Sequence, residues 1–178
     1  SHRSTVLHTY AVALPDSLNC SARDTILPVV PMFHVNAWGL PYAACMVGAK
    51  LVLPGPFLDG KSLHELCEAE GVTLSAGVPT VWQGLLTHVE ANRLAFSTMR
   101  RTVIGVAASP AAVMPFHQDR SDVQVLHVWG IPEIVPPGPV VRPAPPHQPH
   151  RAGDRLEVPS PPGPALVCAR TQVAVGNG

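Results

Sequence analysis

Short runs dominated by Val, Ile and Leu recur along the first 130 or so residues, each followed by a segment with helical spacing. The runs are TILPVV (25–30), KLVL (50–53), VTLSA (72–76), TVIGVA (102–107) and VQVLHVW (123–129). Helices are predicted over residues 4–14, 38–47 and 62–70, from Pro79 to about Ala91, and briefly from Pro110. Pro79 and Pro110 suit a first helical turn, where the missing N–H costs nothing. Strands that are apolar almost throughout must be covered on both faces. The predicted fold class is therefore α/β, a mostly parallel sheet with helices on both faces. Ligands of such sheets gather outside the C-terminal ends of the strands. The loops after Val30, Ile104 and Val128 become the places to look.

From about Pro132 the chain changes character. More than half of its 21 prolines fall between Pro132 and Pro164, whereas the last lysine is Lys61 and the last aromatic residue Trp129. Proline has no N–H to donate and a fixed φ, so PPGPVVRPAPPHQPH and PSPPGP cannot form helices or central strands. Residues 1–135 are expected to form one sheet-bearing unit, and residues 136–178 an extended or disordered proline-rich tail. An SH3-type ligand is the less favoured use of that tail.

Formal net charge is zero and no Lys/Arg cluster occurs, which argues against a nucleic-acid partner. Apolar stretches are broken by Pro, Gly, His or Asn well short of the roughly 20 residues of a spanning helix. No signal-peptide pattern opens the chain, so a cytoplasmic location is expected. Cys20, Cys45, Cys67 and Cys168 form no CxxC pair, and three buried thiols with one in the tail is the plain expectation. His147 and His150 are closely spaced, but a proline-rich run gives them no rigid ligand geometry.

Three constellations sit at the strand ends. In VPMFHVNAWGLPYAACMVGAKLVLPG (30–55), His34 and Trp38 are four apart and would share a face of a helix beginning there. The competing account makes Phe33 and Trp38 core residues and His34 a hydrogen-bonded neighbour. In VIGVAASPAAV (103–113), small residues at a strand end let a ligand or another backbone come close. Ser109 and Pro110 then open a helix. In HVWGIPE (127–133), an aromatic ring, a glycine and an acid suit a purine and a phosphate-bound hard cation. On spacing alone, a solvated surface acid is the favoured account of Glu133.

Taken in this order and spacing, the segments SHRSTVLHTYAVALPD, PMFHVNAWGLPYAA, GVTLSAGVPTVWQGLL, RRTVIGVAAS and VQVLHVWGIPE resemble the adenylate-forming (AMP-binding) superfamily, specifically its fatty-acid–CoA ligases, or acyl-CoA synthetases. The likeness covers about residues 1–143, a fragment of the large N-terminal domain. It implies a two-step reaction. A fatty carboxylate attacks the α-phosphate of ATP, giving acyl-adenylate and pyrophosphate; CoA thiol then displaces AMP to give acyl-CoA. ATP and CoA would be co-substrates, with Mg²⁺ offsetting phosphate charge.

Carried over by position, His34, Val35, Trp38 and Gly105 would line the acyl substrate. Val106, Ala107, Ala108, Trp129, Gly130 and Pro132 would contact the nucleotide. Glu133 would be the catalytic, Mg²⁺-associated acid. Two residues depart from the family pattern. Pro132 replaces a threonine, and one lost hydrogen bond to a charged phosphate is worth roughly 1.5–3 kcal/mol. Val106 stands where a second glycine is usual. The resemblance also implies a lysine-bearing phosphate loop ahead of Ser1, and a C-terminal domain with a catalytic lysine that nothing after Pro143 resembles. The expectation is thus an ATP-dependent acid–thiol ligase by ancestry, truncated and inactive alone. The rival readings are a non-catalytic acyl-binding or interaction module and a decayed gene product.

Overall fold

The computed structural model describes residues 1–105, 123–128 and 140–141. Its centre is a six-stranded sheet made of β1 (Thr25–Pro28), β2 (Lys50–Leu51), β3 (Leu74–Gly77), β4 (Arg101–Gly105), β5 (Gln124–Val128) and β6 (Val140–Val141), in the order β2-β1-β3-β4-β5-β6. The first five strands are parallel and β6 pairs antiparallel with β5. The α/β fold read from the sequence is the fold observed. The short strand β6 lies beyond the expected boundary at residue 135, inside the proline-rich stretch. It sits at the sheet edge, where neighbouring prolines are tolerated.

Alternate residues of each strand feed two cores. Ile26, Leu74, Ala76, Val103, Leu126 and Val128 pack toward α1 (His2–Ala13) and α3 (Leu40–Val47). Leu27, Ile104 and Val125 pack toward α4 (Gly60–Glu70) and α5 (Pro79–Ala91). The near-continuous apolar runs are thus explained by two covered faces. Local chemistry fixes the helix ends. The Ser1 hydroxyl accepts from the Ser4 amide, and Asp59 Oδ1 accepts from the Ser62 amide at 3.0 Å. Pro79 opens α5 as expected.

Most boundaries moved by one or two residues. The second strand stops at Leu51 rather than residue 53, and the helix foreseen from Trp38 begins at Leu40. The cysteine expectation also needs a correction. Cys20 and Cys67 are buried, and burial raises both thiols to about 12, but Cys45 on α3 is exposed. Among the described residues no helix is long and apolar enough to cross a membrane.

Candidate functional site

The connection from β1 leads outward to β2 across one face, and the chain returns over the other face to β3 before continuing through β4 and β5. Strand order reverses between β1 and β3, the kind of switch point outside whose C-terminal strand ends ligands of such sheets gather. The backbone joins the two strands at that edge, where the Val29 amide donates to the Ala76 carbonyl at 2.7 Å. The loop after β1 leaves this end of the sheet and carries His34, Val35 and Trp38.

That loop is not the right-handed helix that the His34–Trp38 spacing suggested. Residues of the single turn α2 (Val35–Trp38) have φ of 49°, 53°, 50° and 55°, and Gly39 follows at 73°. The turn is left-handed. Each L-residue in it sacrifices about 1–2 kcal/mol, and the β-branched Val35 is an unusual occupant. His34 lies just outside the turn with φ −100°, half-buried, so it and Trp38 do not share a face of a regular helix. Spacing arguments assume right-handed geometry, and here that assumption fails. Phe33 is 91% exposed, which also overturns its reading as a core residue.

The turn nevertheless gathers two expected site residues. A Cβ on Gly105 would fall 2.8 Å from Trp38 Cη2, 3.1 Å from its Cζ2 and 3.0 Å from Val128 Cγ2. The indole therefore lies against the last residue of β4, in a space only glycine leaves open. Gly105 is opposite Val128 in the parallel ladder, so β4 and β5 release the chain at the same edge. Val106, Ala107, Ala108, Trp129, Gly130, Pro132 and Glu133 lie outside the described residues. Among the described residues no group of three or more His, Cys, Asp and Glu side chains is placed to hold a metal ion.

Two residues were not singled out in the sequence. His8 of α1 is 5% exposed, and its Nε2 lies 3.0 Å from the Trp38 carbonyl oxygen. Burial lowers its pKa, outweighing the raising influence of that hydrogen bond. Nothing in the spacing of two residues thirty positions apart reveals this contact. Trp82 of α5 is fully buried and donates its indole N–H to the Gly77 carbonyl at 3.1 Å and to the Val103 carbonyl at 3.3 Å. It ties β3 to β4 from beneath the edge. A tryptophan inside an apolar helical run does signal a buried ring in need of an acceptor.

Comparison with known proteins bears on this edge. The family of AMP-binding enzymes matches residues 1–174. The chain is 58% identical over 138 residues to the medium-chain-fatty-acid–CoA ligase of Ectopseudomonas oleovorans, covering 78% of this chain and 25% of that one. It is 51% identical over 136 residues to the long-chain-fatty-acid–CoA ligase of Thermus thermophilus, covering 76% and 25%. The chain spans about a quarter of the length of the curated relatives it matches. Among solved structures, a long-chain-fatty-acid–CoA ligase from Archaeoglobus fulgidus superposes with a TM-score of 0.69 at 22% identity, over 80% of this chain and 30% of that one. A fatty acyl CoA synthetase from Mycobacterium tuberculosis gives 0.71 at 23%, over 79% and 27%. These two likenesses concern the fold.

Proposed function

This chain belongs to the family of AMP-binding enzymes, and on that premise we propose that it forms the acyl-facing wall of a fatty-acid–CoA ligase. The observation that carries this reading is the Trp38 ring seated on Gly105 at the C-terminal end of β4, beside Val128 of β5. An apolar indole against a bare backbone offers a surface for an alkyl chain, and the adjoining strand ends suit a carboxylate and a nucleotide. In this reading His34, Val35, Trp38 and Gly105 meet the acyl substrate. Val106, Ala107, Ala108, Trp129, Gly130 and Pro132 meet ATP. Glu133 is the acid beside the triphosphate. A single carboxylate with phosphate oxygens is a donor set Mg²⁺ accepts, and the ion, when bound with ATP, supplies charge neutralisation. The reaction is acyl-adenylate formation followed by thioester formation with CoA. The same reading assigns residues 1–135 to the ligase-derived unit and residues 136–178 to a proline-rich segment, with a cytoplasmic location.

The 178 residues alone are proposed to bind without turning over. The resemblance implies a catalytic lysine for this phosphoryl chemistry, and the chain has two lysines. Lys50 is engaged by Glu70 Oε2 at 2.7 Å, and Lys61 stands exposed on α4 within 3.9 Å of Glu65. The test is a titration of the 178-residue chain with decanoate, alongside decanoate-dependent ATP–pyrophosphate exchange. Saturable binding that Trp38→Ala removes, without exchange, is expected. Absence of binding by the unaltered chain would sink the acyl-site reading, and exchange at a useful rate would refute its inactivity.

A further inference from the structure

The left-handed turn sets a problem: four consecutive L-residues occupy a conformation that each of them disfavours. Such a turn persists only where its surroundings over-determine it. We propose that His8 is the positioning residue of the acyl site, holding residues 35–39 in the left-handed turn that lays Trp38 over Gly105.

Three observations converge on this residue. A carbonyl oxygen can only accept, so the 3.0 Å contact requires His8 Nε2 to carry the proton and donate it to Trp38 O. That carbonyl belongs to the last residue of the turn, so the bond fixes where the turn closes. Next, a Cβ on Gly39 would lie 2.2 Å from His8 Nε2 and 2.3 Å from Cδ2. The imidazole thus fills the space beside Gly39, whose φ of 73° brings the chain from the turn into α3. Lastly, among the described residues His8 Nδ1 is buried with no hydrogen-bond partner, and the ring's one polar engagement is with the turn. A histidine kept only for packing would gain nothing from a buried polar nitrogen, which costs free energy when unpaired. Lowering of its pKa by burial is consistent with a neutral, Nε2-protonated ring.

The inference rests on the acyl-site reading for its consequence, though not for its geometry. The decisive experiment uses the 178-residue chain and the variants His8→Ala and His8→Gln. The indole ¹⁵N–¹H resonance of Trp38, identified by its loss in Trp38→Phe, reports the turn. The resonance of Trp82, identified in the same way, is the control. His8→Ala is expected to displace or broaden the Trp38 signal, leave that of Trp82 in place, and weaken decanoate binding about tenfold, as for one lost hydrogen bond. His8→Gln, whose amide can donate to the same carbonyl, is expected to restore the signal and most of the affinity. An unmoved Trp38 signal in folded His8→Ala would overturn the proposal. If the unaltered chain fails to bind decanoate, the acyl reading falls, while the Trp38 signal still decides the role of His8. Should His8→Ala not fold, the ring ¹⁵N shifts of the unaltered chain decide instead. A neutral ring protonated at Nε2 is expected, and one protonated at Nδ1 would overturn the proposal.

Discussion

The two edges of the sheet solve opposite problems. At the N-terminal edge, Asp24 and Arg101 form a nearly buried ion pair, with side chains 7% and 13% exposed. The carboxylate is well satisfied: Thr73 Oγ1 donates to Asp24 Oδ1 at 2.8 Å and the Ser21 amide donates to Oδ2 at 2.9 Å, while Arg101 Nη1 donates to the Asn19 carbonyl at 2.7 Å and Arg101 Nε is buried without a partner among the described residues. The pair staples the loop before β1 to β3 and β4. At the C-terminal edge the backbone is left-handed through residues 35–39 and an indole presses on a glycine. One edge uses its polar groups to hold the sheet together, and the other keeps an unfavourable backbone geometry that the proposed acyl site would give reason to keep.

The largest effect should come from breaking the stapled edge. Arg101→Met leaves the Asp24 carboxylate buried without its cation, at a cost of about 3–5 kcal/mol. Thermal unfolding should drop by roughly 10 °C for a domain of this size, while whatever decanoate binding survives at 15 °C keeps its affinity. Gly105→Ala should do the reverse. Its methyl group would press on Trp38 and Val128 and destabilise the fold by about 1–3 kcal/mol, yet it should abolish decanoate binding. If the two variants affected stability and binding in the same proportion, the division between the edges would be wrong.

Acid should separate the edges too. In the folded chain His8 titrates below 6.5, because burial outweighs its bond to the Trp38 carbonyl. Below that pH the unfolded chain binds more protons than the folded one, so stability falls as pH falls from 6.5 through the folded value. Asp24 behaves as a depressed carboxyl. Burial pushes it up, but hydrogen bonds from Thr73, Ser21 and Arg101, together with the guanidinium charge, outweigh that and hold it below 3.8. Its contribution is present above 3.8 and is lost as pH falls through the folded value. Urea melts at descending pH should show the earlier loss vanish in His8→Gln and the later one shrink in Asp24→Asn. A single acid transition unaffected by either change would refute this ordering.

The same contrast marks how far the sequence could be read. Parallel strands with two covered faces were legible because side-chain alternation and apolar runs are local properties, and Pro79 announced α5 in the same local way. Gly105 was legible as a point of close approach, although what approaches it was not. The hand of α2 was illegible, since it depends on His8 reaching across from another helix. The Asp24–Arg101 pair was hidden for the same reason, its members lying 77 positions apart. Trp82 could have been found from its burial and its indole N–H. Long-range contacts decide such matters, and one sequence carries no trace of them.

The smallest expected effect concerns Phe33, which composition placed in the core and the structure leaves 91% exposed. Burying a phenylalanine and then truncating it costs about 3–5 kcal/mol, whereas an exposed residue without special contacts is worth at most about 0.5 kcal/mol. Phe33→Ser should therefore leave the urea midpoint of the chain unchanged. The position lies one residue before His34, on the loop after β1, so its ring is a surface that loop presents rather than one the fold requires. A cost near 3 kcal/mol would return Phe33 to the core and make this loop part of the stapled, stability-bearing half of the molecule.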